Sequence, residues 1–534
     1  SGCPYMRACP LTVGIVMHIR HSLLAFAALF AGFVAASGLP VHDVLAQERP
    51  ARGERPAQHS DDAKPDGPAQ PSGPGVLRLL PPDAVSDKQI TVEGRTIAYT
   101  ATAGTLPLFD PNGERLASVY YTAYVAKGAD AGRRPITFAF NGGPGAASAY
   151  LNLGVVGPRI AEFGTDNRDG SAVRLVDNPD TWLAFTDLVL IDPIGTGWSR
   201  TAKPDAASNF WSVRSDASVM AKVVALYIAR NSRSASPKFL LGESYGGFRA
   251  AKVAGALQSE QGIVTSGIVM LSPLLETSFQ WGGSQTALGA ALHFPTLVAA
   301  ELDRTKAFTP EKLAEAERFA LTDYLSGLAG PRPSGDKAKA LYGRIAELTG
   351  LNVDVVTKSR GLVRNAYLNH LRDRGLTASS YDATFTVPDP YPESDRRRGS
   401  DPILDGFSRA LSGAYVAYAR DELGFKTDMT YTLLAGDVAS KWEWGDRREQ
   451  PGVSDDLREL LAQTPSFRLL VAHGRTDLVT PYGVSRYVLD HLPEIGNPNR
   501  VQLKLYRGGH MFYFNPDSRH AFGQEAKSFY QAEP

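Results

Sequence analysis

Apolar and polar positions alternate across residues 89–127, with turn material at Gly94 and at Asp110-Pro111-Asn112-Gly113. This period of two predicts antiparallel strands at the edge of a sheet. The rhythm then changes to short apolar bursts at 136–140, 188–192, 239–242, 267–271, 469–472 and 501–506, separated by helix-length stretches. Strands apolar on both faces and alternating with helices predict a mainly parallel sheet with helices on both sides, an α/β fold. Between about 275 and 465 the bursts stop. Helical patterns replace them at 310–328, 337–348, 362–374 and 406–422, broken by turns such as Pro388-Asp389-Pro390-Tyr391-Pro392. The insertion reads as a helical cap over the sheet, and no internal repeat or coiled-coil heptad is visible.

Composition narrows the function. The 534 residues carry 56 Lys+Arg against 56 Asp+Glu, so the whole chain has no electrostatic footprint for nucleic acid. With 43% apolar residues it can bury a large core, and one elaborated globular domain is expected over 76–534. From Met17 a basic head (His18, Arg20, His21) leads into an apolar run over 22–36 and then Val44-Leu45-Ala46. That order predicts a secretory signal within 1–46, too short in its apolar part for the roughly 18–20 residues that span a bilayer. The expected location is secreted or periplasmic, with no membrane attachment after cleavage. Both cysteines, Cys3 and Cys9, precede the signal, so the mature chain would hold none. Residues 47–75 are rich in Pro, Gly and charge and are expected to form a disordered linker.

The chemistry begins at Gly242-Glu243-Ser244-Tyr245-Gly246-Gly247, which stands between a buried strand and a helix. G-x-S-x-G in that context predicts a tight strand-to-helix turn that lifts the Ser244 hydroxyl above the sheet. A neutral serine needs a base within hydrogen-bond reach and a carboxylate to orient that base. Four of the ten histidines fall in the signal or linker. Among the rest, His293 and His370 lie in the cap and His473 abuts a strand end. In a hydrolase of chain order Ser, Asp, His, the acid follows a late strand and the histidine the last one. Asp477 follows the burst at 469–472, and His510 follows that at 501–506. Asn141-Gly142-Gly143-Pro144-Gly145 follows the burst at 136–140, where glycines let backbone N–H groups approach an oxyanion; Gly143 and Tyr245 are the expected donors.

With these blocks in order, the chain resembles the serine carboxypeptidase family, peptidase S10, of α/β-hydrolase fold. The resemblance rests on NGGPG at 141, Asn178-Pro179-Asp180-Thr181-Trp182, IDPIGTGWS over 191–199, GESYGG at 242, GRTD at 474 and GGHM at 508. It implies Ser244, Asp477 and His510 as the triad, and a peptide substrate with a free C-terminus whose carboxylate is held by Asn141, Gly142 and Glu243. The family's second carboxylate-binding Glu falls at Val155, its usual Trp at Ala139 and its usual Cys at Ala146. Glu162 and Arg159 are candidates for the lost contact, against a plain surface role. No metal or organic cofactor is implied, since the chain lacks H-E-x-x-H, paired Cys/His ligands and G-x-x-x-x-G-K. The substitutions keep an esterase or acyltransferase open as an alternative to the carboxypeptidase, and a silent binding protein as a third reading. Oligomeric state is left open.

Overall fold

A computed structural model describes residues 75–532 apart from 165–166, 281–282, 395–397 and 446–450. The expected signal over 1–46 and nearly all of the expected linker lie outside the described residues. Gly75 opens a 3-10 turn, Gly75–Leu79.

The strands in chain order are β1 (Ala84–Val92), β2 (Arg95–Phe109), β3 (Arg115–Ala126), β4 (Ile136–Phe140), β5 (Arg159–Phe163), β6 (Val173–Asp177), β7 (Asp187–Ile191), β8 (Arg200–Thr201), β9 (Lys238–Glu243), β10 (Gly267–Leu271), β11 (Leu376–Ala378), β12 (Thr386–Pro388), β13 (Arg468–Gly474) and β14 (Val501–Tyr506). The main sheet runs β1-β2-β3-β7-β4-β9-β10-β13-β14, with β8 added beside β3. Pairs β1·β2, β2·β3 and β3·β7 are antiparallel, and every pair from β7 to β14 is parallel. This is an α/β-hydrolase sheet: an antiparallel flank where the sequence alternates, a parallel centre where it is apolar throughout.

The centre is apolar because both faces are covered. Leu241 and Val269 pack into one core, while Leu240, Ile268, Leu469 and Val471 pack into the other. Strand β7 begins one residue earlier than the apolar burst, at Asp187, whose carboxylate is buried between Arg134 and Arg233, each at 2.6 Å. Pairing on both oxygens makes a buried acid tolerable at a strand start.

The inserted segment has its own apolar core, around Phe294, Tyr324, Ile345 and Tyr367. Helices Pro310–Phe319, Gly335–Thr349 and Arg364–Asp373 lie where the periodicity places them. The helix Ala287–Arg304 is not announced by polarity: it is apolar over most of its surface, and Pro295 interrupts its reading as a helix. Among the described residues no helix is long and apolar enough to cross a membrane.

Candidate active site

Four strands deliver the candidate residues to one edge of the sheet. Parallel strands end together, so the loops after β4, β9, β13 and β14 emerge side by side. They carry Asn141–Gly145, Ser244, Asp477 and His510 respectively.

Ser244 sits at φ 61° and ψ −125°, a left-handed backbone that a serine occupies only when its surroundings impose it. Its N–H donates to Leu271 O at 2.9 Å, and its carbonyl accepts from Gly247 and Leu274. The helix Tyr245–Gln261 starts at the next residue, so the hydroxyl lies at the positive end of that helix. The turn can be this tight because a Cβ on Gly246 would meet Phe140 O at 2.3 Å, a space only hydrogen can fill.

His510 and Asp477 are joined directly. Nδ1 lies 2.8 Å from Asp477 Oδ2 and 3.0 Å from Thr480 Oγ1. Asp477 is wholly buried; its Oδ1 accepts the N–H groups of Val479 at 2.7 Å and Thr480 at 3.0 Å, and its Oδ2 also accepts the Thr480 hydroxyl. An acceptor at this distance keeps the ring proton on Nδ1 and leaves Nε2 as a base. Burial pulls the His510 pKa down, but the Asp477 charge and hydrogen bond, with the Glu243 charge behind them, leave it above the usual histidine value.

Among the described residues, both ring hydrogen bonds of His510 are made at Nδ1, and none joins Nε2 to the Ser244 hydroxyl. The two residues are nonetheless tied to adjacent points of one strand end. Ser244 bonds Leu271 through its N–H, and Ser272 donates its hydroxyl to His510 O at 2.9 Å. Serine–base contacts are often long in unliganded hydrolases and tighten with substrate.

The NGGPG turn lies against the elbow. A Cβ on Gly142 would stand 2.6 Å from both Glu243 O and Tyr245 N, so the two N–H-bearing segments touch. Gly143, at φ 99°, lines the cleft beside Ser244 and Tyr245. Tyr245 heads its helix, where the N–H has no acceptor within the helix.

Asn141 and Glu243 meet behind this turn. Asn141 Nδ2 donates to Glu243 Oε2 at 2.5 Å, and the Tyr513 hydroxyl donates to Oε1 at 2.8 Å. Glu243 is 3% exposed, and burial raises its pKa against the opposing His510 charge and these two donors. Arg159 and Glu162 are not brought to the cleft. They lie on β5, where Arg159 pairs with Asp177 and Glu422 and Glu162 with Arg174. Val155 and Ala139 are buried.

Arg364 and Ser380 carried no mark along the chain, while Trp444, which could have been cleft-facing or core, faces the cleft. The cleft over Ser244 has a volume of about 390 Å³ and takes His293, Arg364, Ser380 and Trp444 from the inserted segment. Trp442 and Trp444 both stand edge-on to Tyr245, at 5.2 and 5.3 Å between centroids; Trp442 is core and Trp444 lines the cleft. His473 is fully buried with Nε2 2.8 Å from Ser485 Oγ, a packed strand-end histidine held down to about 4 by desolvation. Thr196 and Trp198 are buried, and the Trp198 indole donates to Met429 O. Among the described residues no group of three or more His, Cys, Asp or Glu side chains could hold a metal ion.

No curated protein matches the chain. Of the solved structures, a proline iminopeptidase from Mycobacterium smegmatis is 13% identical, covers 83% of this chain and 97% of its own, and has a TM-score of 0.33. A homoserine O-acetyltransferase from Bacillus anthracis is 12% identical over 84% of this chain and 98% of its own, with a TM-score of 0.36. Scores this low bear on neither substrate nor mechanism. The serine carboxypeptidase family model matches residues 105–275, a span that includes the NGGPG turn, β9 and the Ser244 elbow. Over residues 105–275 this chain is thus similar to the serine carboxypeptidase family, peptidase S10, and those residues are carried on an α/β-hydrolase sheet.

Proposed function

We propose that this serine hydrolase is a carboxypeptidase that releases C-terminal residues from peptides through an acyl-enzyme. The observation that supports it most is the Asp477–His510 contact at the sheet edge that also carries Ser244 in its left-handed turn. In this reading Ser244 Oγ attacks the scissile carbonyl carbon while His510 Nε2 takes the hydroxyl proton. The N–H groups of Gly143 and Tyr245 hold the oxyanion. His510 then gives the proton to the departing amine, leaving an ester on Ser244. Water, deprotonated by the same imidazole, hydrolyses that ester and restores the serine. Asp477 holds the ring and stabilises its charged form.

A terminal carboxylate would be recognised next to the Asn141–Glu243 pair, with Glu243 protonated so that it donates rather than repels. The alternative, an esterase or acyltransferase, is favoured by Val155 and Ala139 and by a Glu243 whose two oxygens are already occupied. N-blocked dipeptides and their C-terminal amides separate the two: a carboxypeptidase cleaves only the free acids. Labelling by a fluorophosphonate, lost in Ser244→Ala, tests the hydrolase itself against a silent binding protein.

A further inference from the structure

Residues 379–385 follow β11 in the inserted segment and lie against both loops that carry the candidate acid and base. The Ser380 carbonyl accepts the Leu478 N–H at 3.1 Å, and the Ala383 N–H donates to Thr476 O at 3.0 Å, so the backbone is tied down on either side of Asp477. The Tyr381 carbonyl accepts the His510 N–H at 2.5 Å, and its ring stands edge-on to the imidazole with 5.3 Å between centroids. A Cβ on Gly509 would fall on that same carbonyl oxygen, so the segment and the histidine loop touch without a gap.

One side chain joins these contacts. Asp382 is half-buried, and its Oδ1 accepts the Thr476 hydroxyl at 2.7 Å, the Thr384 hydroxyl at 2.7 Å and the Thr384 N–H at 2.9 Å. Among the described residues no donor is bonded to Oδ2. The segment is anchored in turn by Asp401, which accepts the Ser379 hydroxyl at 2.6 Å and the Ser380 N–H at 2.7 Å. Thr476 is fully buried, and its N–H donates to Gly508 O at 3.1 Å, two residues before His510. Asp382, Thr476 and Gly508 thus form a chain from the inserted segment through the acid loop to the base loop.

From this chain of contacts we propose that Asp382 is a positioning residue: by holding Thr476 it fixes Asp477 against His510, so that the inserted segment completes the triad rather than merely covering it. The proposal rests on the reading of Ser244, Asp477 and His510 as that triad. Asp477 takes two of its donors, the N–H groups of Val479 and Thr480, from the backbone just past Thr476. A small turn of that backbone swings the carboxylate off Nδ1, and displacements of about 1 Å cost on the order of 100-fold in rate.

The test uses the full chain. In Asp382→Ala the Thr476 hydroxyl loses its acceptor, and kcat for a neutral ester, counted per fluorophosphonate-labelled site, should fall about 10- to 100-fold with KM nearly unchanged. The limb of kcat/KM set by His510 should also move to lower pH, because a loosened Asp477 supports the charged ring less well. Asn keeps an oxygen toward Thr476 and can place its amide at the unbonded Oδ2 position, so Asp382→Asn should retain most of the rate and the limb. Thr476→Val removes the same hydrogen bond from the other side and should reproduce Asp382→Ala; it decides the matter if the alanine protein does not fold. Variants that lose only melting temperature, with kcat per labelled site and the limb unchanged, would overturn the proposal, as would an Asp382→Asn protein as impaired as Asp382→Ala. The His510 ring is read independently of turnover by NMR titration of histidine-labelled protein, with its resonance assigned through His510→Gln. It should titrate lower in Asp382→Ala than in the parent. If the parent neither hydrolyses the ester nor takes the label, the hydrolase reading fails, whereas an unshifted His510 titration would sink the positioning role by itself.

Discussion

Asp477 holds His510 from a position that water does not reach, with Oδ2 2.8 Å from Nδ1 and Oδ1 fixed by two backbone N–H groups. The carboxylate, which also accepts the Thr480 hydroxyl on Oδ2, cannot rotate without breaking four contacts, so it selects one tautomer of the imidazole. Replacing it by Asn offers an amide N–H to Nδ1 and moves the ring proton to Nε2, where it blocks the base. Asp477→Asn should lower kcat by about 10³- to 10⁴-fold with little change in KM. A loss under tenfold would mean that His510 is not the base.

The same contact sets a pH limb. Burial lowers the His510 pKa, but the charge and hydrogen bond of Asp477 reverse the sign. Hydrolysis of a neutral ester needs the unprotonated ring, so kcat/KM should rise with pH along a limb centred above about 6.5. In Asp477→Asn burial is opposed only by the weaker Glu243 charge, and the limb of the residual activity should move to lower pH. For stability the raised pKa works the other way: its contribution is full below the unfolded value and is lost as pH rises through the folded one. A limb below 6.5 in the unmodified protein would contradict this balance.

Glu243 is raised mainly by burial, so its neutral form is the one the fold prefers. The stability it contributes is full below its unfolded pKa and is lost as pH climbs through the folded value. Gln can keep an oxygen toward Asn141 and turn its amide toward the Tyr513 oxygen. Glu243→Gln should therefore unfold at an equal or higher temperature than the parent at pH 7, with the difference closing near pH 4. It should change the pH profile for free-acid peptides more than that for neutral esters. Equal changes for both would remove Glu243 from carboxylate recognition.

Arg249 secures the same turn from below. Fully buried, it donates Nε to Asp216 Oδ2 at 2.7 Å and Nη1 to Asn141 O, and lies 4.9 Å from the Tyr245 ring centre. Arg249→Met strands the buried Asp216 and frees the Asn141 carbonyl. The expected cost is about 3–5 kcal/mol in chemical unfolding. Adding Asp216→Leu should recover part of it, and a fully additive double variant would show that the pair is not coupled.

Local rules carried much of this protein. The parallel centre was legible because buried strands must be apolar on both faces, and β4, β10 and β14 fall on the expected bursts. The elbow was legible because close packing at Gly242 and Gly246 leaves room only for glycine. The order of Ser244, Asp477 and His510 followed from strands ending at a common edge. Other partners had no local mark. Tyr513 reads as one of many tyrosines until it meets Glu243, and Arg249 as an ordinary helix residue until it meets Asn141.

Chain order and apolar period thus determined the sheet, the turn and the candidate triad, because each depends on neighbours a few residues away or on where a strand must end. Only the tertiary structure decided what else lines the cleft. His293, Arg364 and Trp444 come from separate parts of an insertion with its own core, and no short-range rule records which way that core docks. The same reason leaves Arg159 and Glu162 paired on a hairpin while Arg364, unmarked in the sequence, stands beside Ser244.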